Sequence, residues 1–136
     1  MPESAAALPL CDARQLEERG RAFGWDVLLH GQPARAFVLR FDGVLRAYIN
    51  RCVHVPTRMD WEPGEFLDTL DKRWILCGVH GAAYEPATGH CVGGPCGRGR
   101  LTPVAVAESD GQVCWYPSRD IQPAPPQPAP SHPGAA

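Results

Sequence analysis

From Phe23 the apolar positions recur every second residue, and three stretches repeat that pattern: Phe23–Leu29, Arg35–Phe41 and Val44–Asn50. Each is of strand length and rich in Val, Leu and aromatic residues, so each predicts a half-buried strand. His30-Gly31-Gln32-Pro33 separates the first two, and Asp42-Gly43 stands between Phe41 and Val44. An Asp-Gly pair favours a two-residue hairpin, because both central positions need positive φ. Arg73-Trp74-Ile75-Leu76 predicts a further strand, and Arg100–Ala107 with Gln112–Pro117 predicts a second hairpin turning at Asp110-Gly111. The one helical signal is Asp12 as a cap on a short run through Ala13, Gln15, Leu16, Glu17 and Glu18, with Gly20 as its stop. The expected class is therefore all-β, built from small antiparallel sheets. The two ends lack any apolar period. Residues 1–10 are expected to be a flexible N-terminus, residues 11–118 the folded domain, and residues 119–136 a disordered tail rich in Pro and Ala.

At 136 residues the chain has room for one modest core. Its formal net charge of -2 gives no electrostatic case for nucleic acid or an anionic membrane as partner. No apolar run is long enough to span a bilayer. Met1-Pro2-Glu3-Ser4 carries neither a basic n-region nor a twin arginine, and Ala5–Leu10 is short for a signal core. The expectation is a cytoplasmic protein, in which the six cysteines stay reduced and do not form a disulfide framework.

Chemistry concentrates between Arg51 and Tyr84. Cys52-Val53-His54 opens the stretch and Cys77-Gly78-Val79-His80 closes it. Zinc sites usually pair like with like, Cys-x2-4-Cys followed by His-x3-5-His. Here each local pair is mixed, which suits a [2Fe–2S] rhomb spanning two loops, with Cys52 and Cys77 on one iron and His54 and His80 on the other. Neutral imidazoles lower the negative charge on their iron and raise the reduction potential relative to an all-Cys cluster. A structural zinc site, or a chance grouping of buried Cys and surface His, remains open at this level.

The sequence resembles the Rieske ferredoxin family at Cys52-x-His54, at Cys77-x-x-His80 and again at Gly93-Gly94-Pro95. The resemblance implies a Rieske-like fold in which a cluster-binding subdomain, about residues 51–95, is inserted between strands of a base. It also implies that Gly94 and Pro95 belong to a loop covering the cluster. It departs from the membrane-anchored respiratory type. Val55, Pro56 and Thr57 follow His54, and Gly78 and Val79 lie between the second ligands, so the cysteines of the loop-bridging disulfide are missing. Ala82 stands where high-potential relatives have a Ser bonded to a cluster sulfide, while Tyr84 matches a second donor, or is simply a core aromatic. A potential near the low end of the ~-150 to +300 mV range is expected.

The 22 residues from 55 to 76 form a longer interval than is usual for such ferredoxins. They read as a solvated hairpin with Trp61, Phe66 and Leu67 folded onto the core, in preference to a docking loop. Cys91 and Cys96 read as packing residues or ordinary thiols in preference to a redox pair, and Cys11 and Cys114 as core or surface thiols. Arg51, Arg98 and Arg100 read as solvated, in preference to edging the cluster and helping a partner dock. No pair of His with a carboxylate is spaced for a mononuclear iron, and no nucleophile–base set stands out. The function implied is a non-enzymatic one-electron carrier between a reductase and an oxygenase or similar redox protein. Its rivals are a small accessory subunit of a reductase, like that of nitrite reductases, and a zinc-binding structural module.

Overall fold

Ala36, Phe37, Val38 and Leu39 are each no more than 1% exposed, and a strand with consecutive buried residues has to be covered on both faces. That run sits in β3 (Gln32–Phe41) of a computed structural model, which describes residues 7–51, 59–60, 64–68, 72–77, 81–95 and 97–125. The other strands are β1 (Leu8–Asp12), β2 (Phe23–Leu29), β4 (Val44–Ile49), β5 (Ile75–Leu76), β6 (Ala83–Tyr84), β7 (Cys91–Gly93), β8 (Ala105–Ser109), β9 (Gln112–Tyr116) and β10 (Ile121–Pro123). They form three sheets, ordered β1-β9-β8, β10-β2-β3-β4 and β5-β6-β7. The strand pairings are all antiparallel.

Strand β3 is the shared wall between two cores. Ala36 and Val38 face the base, joining Trp25, Val27, Ile49, Val113 and Trp115. Phe37, Leu39 and Phe41 alternate to the opposite face and join Tyr48, Met59, Phe66, Ile75 and Tyr84. The segment between β4 and β8 is thus an inserted subdomain seated on the outer face of the central sheet. Its entry and exit adjoin: Ile49 N–H donates to Thr102 O at 2.9 Å, and Val104 N–H donates to Ala47 O at 3.0 Å.

The hairpin turns have one design. His30-Gly31, Asp42-Gly43 and Asp110-Gly111 all take positive φ at both positions, between 51° and 79°, the geometry that matches the twist of the flanking strands.

Three expectations need correction. The helix from Asp12 is only a 3-10 turn over Ala13–Gln15, although Asp12 does cap it, accepting from Arg14 N–H at 2.8 Å. Asp12 is also paired with Gln112 in the β1–β9 ladder, and Arg19 turns at φ 57° to bring Glu18 beside Arg40. Too little chain is left between those anchors for a helix. The N-terminus is not loose through residue 10, because Leu8–Asp12 adds an edge strand to β9. The tail likewise contributes Ile121–Pro123 to the edge of the central sheet, anchored by Ile121, which is 6% exposed. An edge strand tolerates Pro123, since its missing N–H costs no internal ladder bond. Residues 126–136 lie outside the described residues.

Candidate metal centre

Strand β4 delivers the chain to Asn50, a buried polar side chain only 7% exposed. Its Oδ1 accepts from Met59 N–H at 2.7 Å, and its Nδ2 donates to Asp60 Oδ1 at 2.9 Å. Asp60 Oδ2 in turn accepts from Gly64 N–H at 3.2 Å. Asn50 therefore fastens together the two ends of the first candidate ligand loop. Cys52 and His54 themselves, in residues 52–58, lie outside the described residues.

The second loop is closed by its own backbone. Cys77 follows β5; its N–H donates to Ala82 O at 2.8 Å, and Gly81 N–H donates back to Cys77 O at 2.9 Å. These bonds join Cys77 to Gly81 and Ala82 on either side of His80, which lies outside the described residues. Cys77 is 1% exposed and is not in a disulfide. A buried thiol at a pinned turn has the chemistry of a thiolate ligand to an enclosed metal centre.

A third segment lies on the second. Gly94 has φ +82°, and a Cβ there would sit 2.7 Å from Gly81 O and 2.8 Å from Ala82 Cα. Only glycine permits both this backbone and this approach. Gly94 and Pro95 are exposed, whereas Ala82 is 0% exposed beneath them. Gly94 thus packs directly on Gly81 and Ala82, the residues that follow His80. Tyr84 is also 0% exposed and belongs to the subdomain core with Phe37 and Tyr48. Tyr48 Oη donates to Pro86 O at 2.7 Å, tying β4 to the hairpin after β6; burial pushes its phenol pKa up.

Cys91 corrects the sequence reading. It is disulfide-bonded, not an ordinary thiol, and the other half of that bond lies outside the described residues, as does Cys96. Cys11 and Cys114 are unbridged, and burial raises the Cys11 thiol pKa, with the neighbouring Asp12 carboxylate adding to the shift.

The described parts of the acid-rich interval before Cys77 pack on the core. Phe66 stacks on Phe37 with ring centroids 3.7 Å apart and planes 12° apart, and Leu67 bridges to Ile75. Asp68 Oδ1 accepts from the N–H groups of Arg73 and Trp74, and Glu65 pairs with Arg21 at 2.9 Å. These acids satisfy backbone and a neighbouring cation, which favours the structural reading. Trp61 lies outside the described residues. Among the described residues no group of three or more His, Cys, Asp and Glu side chains could hold a metal ion, and no helix is long and apolar enough to cross a membrane.

Asn50 is the functional residue that pattern reading missed. Its signal was an amide ending the strand, two residues before Cys52. Asn50→Leu keeps the branching at Cγ but removes the acceptor of Met59 N–H and the amide that donates to Asp60 Oδ1. Unfolding in urea should show a loss of about 2 kcal/mol, and iron should leave the variant faster than the parent on chelator challenge.

Comparison with known proteins agrees with this geometry. The family model of the Rieske [2Fe-2S] domain matches residues 6–116. The fold is similar to the ferredoxin of carbazole 1,9a-dioxygenase from Nocardioides aromaticivorans IC177, with a TM-score of 0.65 at 18% identity, covering 84% of this chain and 100% of that one. It is similar to the terminal oxygenase of carbazole 1,9a-dioxygenase from Novosphingobium sp. KA1, with a TM-score of 0.63 at 22% identity over 93% of this chain and 32% of that one. A complex of reduced oxygenase and oxidized ferredoxin in the same type of system matches with a TM-score of 0.61 at 24% identity, covering 81% of this chain and 92% of that one. In other oxygenase–ferredoxin complexes the chain spans only 28% of the matched chain. A search of curated proteins found no sequence match.

Proposed function

Because the chain belongs to the Rieske [2Fe–2S] family, we propose that it is a one-electron carrier, taking electrons from a reductase and passing them to an oxygenase or similar redox enzyme. The cluster supplies the redox chemistry. Cys52 and Cys77 hold one iron and His54 and His80 the other. The observation that carries this reading is the closed turn at Cys77, a buried thiol whose loop is pinned to Ala82 and covered by Gly94. The full-length match to a ferredoxin, with no chain left over for a catalytic domain in that relative, supports a carrier over a catalyst.

The chain's own residues do three things for such a centre. The side-chain clamp at Asn50 and the backbone clamp at Cys77 tie together the ends of the two ligand loops, so that little reorganisation accompanies electron uptake. The buried set around Tyr84, Met59 and Phe66 keeps water from the inner side. Ala82 offers no hydroxyl to stabilise the reduced state.

Redox titration of anaerobically purified protein tests the proposal. One electron per chain should be taken up, with a midpoint low in the ~-150 to +300 mV range, and passed on to an acceptor of higher potential. Ala82→Ser should raise the midpoint. A hydrogen bond of about 1 kcal/mol to the reduced cluster corresponds to roughly 40 mV for a one-electron couple. An unchanged midpoint would remove Ala82 from the account, and a chain that takes up no electron would remove the carrier.

A further inference from the structure

We propose that the outer face of the hairpin around β7 is a docking surface for an acidic redox protein; this rests on the electron-carrier reading. The face is defined by register. Cys91 N–H donates to Gly99 O and Leu101 N–H to Gly89 O, both at 2.9 Å, and His90 bridges Arg100. That pairing sets Val92 opposite Arg98. Directly opposed residues of antiparallel strands share a face, and alternation sends Cys91 to the other side, where it packs against the subdomain core. His90, Val92, Arg98 and Arg100 therefore stand together on the outside, and all are exposed.

Among the described residues their charges form no ion pair. On the base, Arg14, Arg19, Arg21, Arg35 and Arg40 each pair with an Asp or Glu. On the hairpin, residues 86–107 include no acid. Arg98 and Arg100 form no ion pair among the described residues; Arg100 Nε donates only to Thr88 O at 3.1 Å. At the foot, Arg46 reaches Ala87 O at 3.4 Å, and its buried Nε has no hydrogen-bond partner. The nearest acid along the chain is the half-buried Glu85. Val92, 49% exposed, is one of two large exposed apolar side chains among the described residues. An apolar spot among unpaired cations is the makeup of a protein interface that selects an acidic partner, and charge of this kind sets encounter rate and orientation. The hairpin's Gly94 lies on Gly81 and Ala82, so a protein seated here abuts the second ligand loop.

The test exploits the net charge of -2, which by itself favours a basic partner. Reduced protein is mixed by stopped flow with native cytochrome c, basic, and with fully succinylated cytochrome c, acidic. At low ionic strength the acidic acceptor should be reduced about tenfold faster relative to its self-matched control at high salt. Arg98→Glu with Arg100→Glu should cancel that advantage while leaving the cluster's spectrum unchanged, the rates being compared after correction for each protein's own measured midpoint. Equal rates, a faster native acceptor, or a preference that survives the double substitution would overturn the docking surface while leaving the carrier intact. Salt-sensitive binding of single-stranded DNA without a preference between the cytochromes would overturn it in favour of a nucleic-acid face. Failure to reduce either acceptor, with no reduced-cluster signal, would overturn the carrier reading and this surface with it.

Discussion

Cys77→Ala should purify colourless, with iron and acid-labile sulfide reduced at least ~tenfold, since losing a ligand exceeds the 10–100-fold cost of losing one of its supports. The thiol is 1% exposed, and the clamp between Cys77 and Ala82 is made by backbone atoms that survive the substitution. The loop should therefore still close, around nothing. The base core, from Trp25 and Val27 to Val113 and Trp115, contains no residue of the ligand loops, so the far-ultraviolet strand signal should remain. Loss of colour with retained strands assigns Cys77 to the cluster. Full iron retention would remove it from the ligand set, and loss of strands would make its role structural.

Gly94→Val should be the most damaging change that touches no ligand. A β-branched residue at φ +82° is strained, and its Cβ would fall 2.7 Å from a backbone oxygen that cannot swing aside. Strain and displacement together should cost roughly 3 kcal/mol. Gly97→Ala is the control. Gly97 has φ +59° in the same hairpin, but a Cβ there meets nothing within 4 Å. It should cost only about 1 kcal/mol. Urea unfolding followed by bleaching of the cluster absorbance reads both. Equal losses would mean that backbone strain alone matters, and that Gly94 does not cover the second ligand loop.

Strand patterns were legible wherever one face meets a core. Phe23–Leu29 has the bounds its alternation predicts, and Asp42-Gly43 and Asp110-Gly111 turn as their φ preferences require. β3 was legible as a strand, but its role as a wall between two cores shows only in the insertion that covers its second face. The edge strands were missed because each is held by one or two anchors. Leu8–Asp12 and Ile121–Pro123 read as tail until β9 and β2 supply their ladders. The helix at Asp12 was overridden by tertiary pairing at both its ends. Asn50 escaped notice since its value lies in partners nine and ten residues away, Met59 and Asp60. Composition also argued for reduced thiols, and the bonded Cys91 departs from that expectation. The proposed ligand set rests on spacing, Cys-x-His and Cys-x-x-His; Cys77 is the member whose surroundings the structure describes.

The most direct measurement is pulsed electron paramagnetic resonance of the anaerobically reduced protein. Two distinct imidazole nitrogens coupled to a single mixed-valence diiron centre are the expected result, one lost in His54→Cys and the other in His80→Cys. A reduced cluster without nitrogen coupling, or a colourless protein holding zinc, would contradict the account.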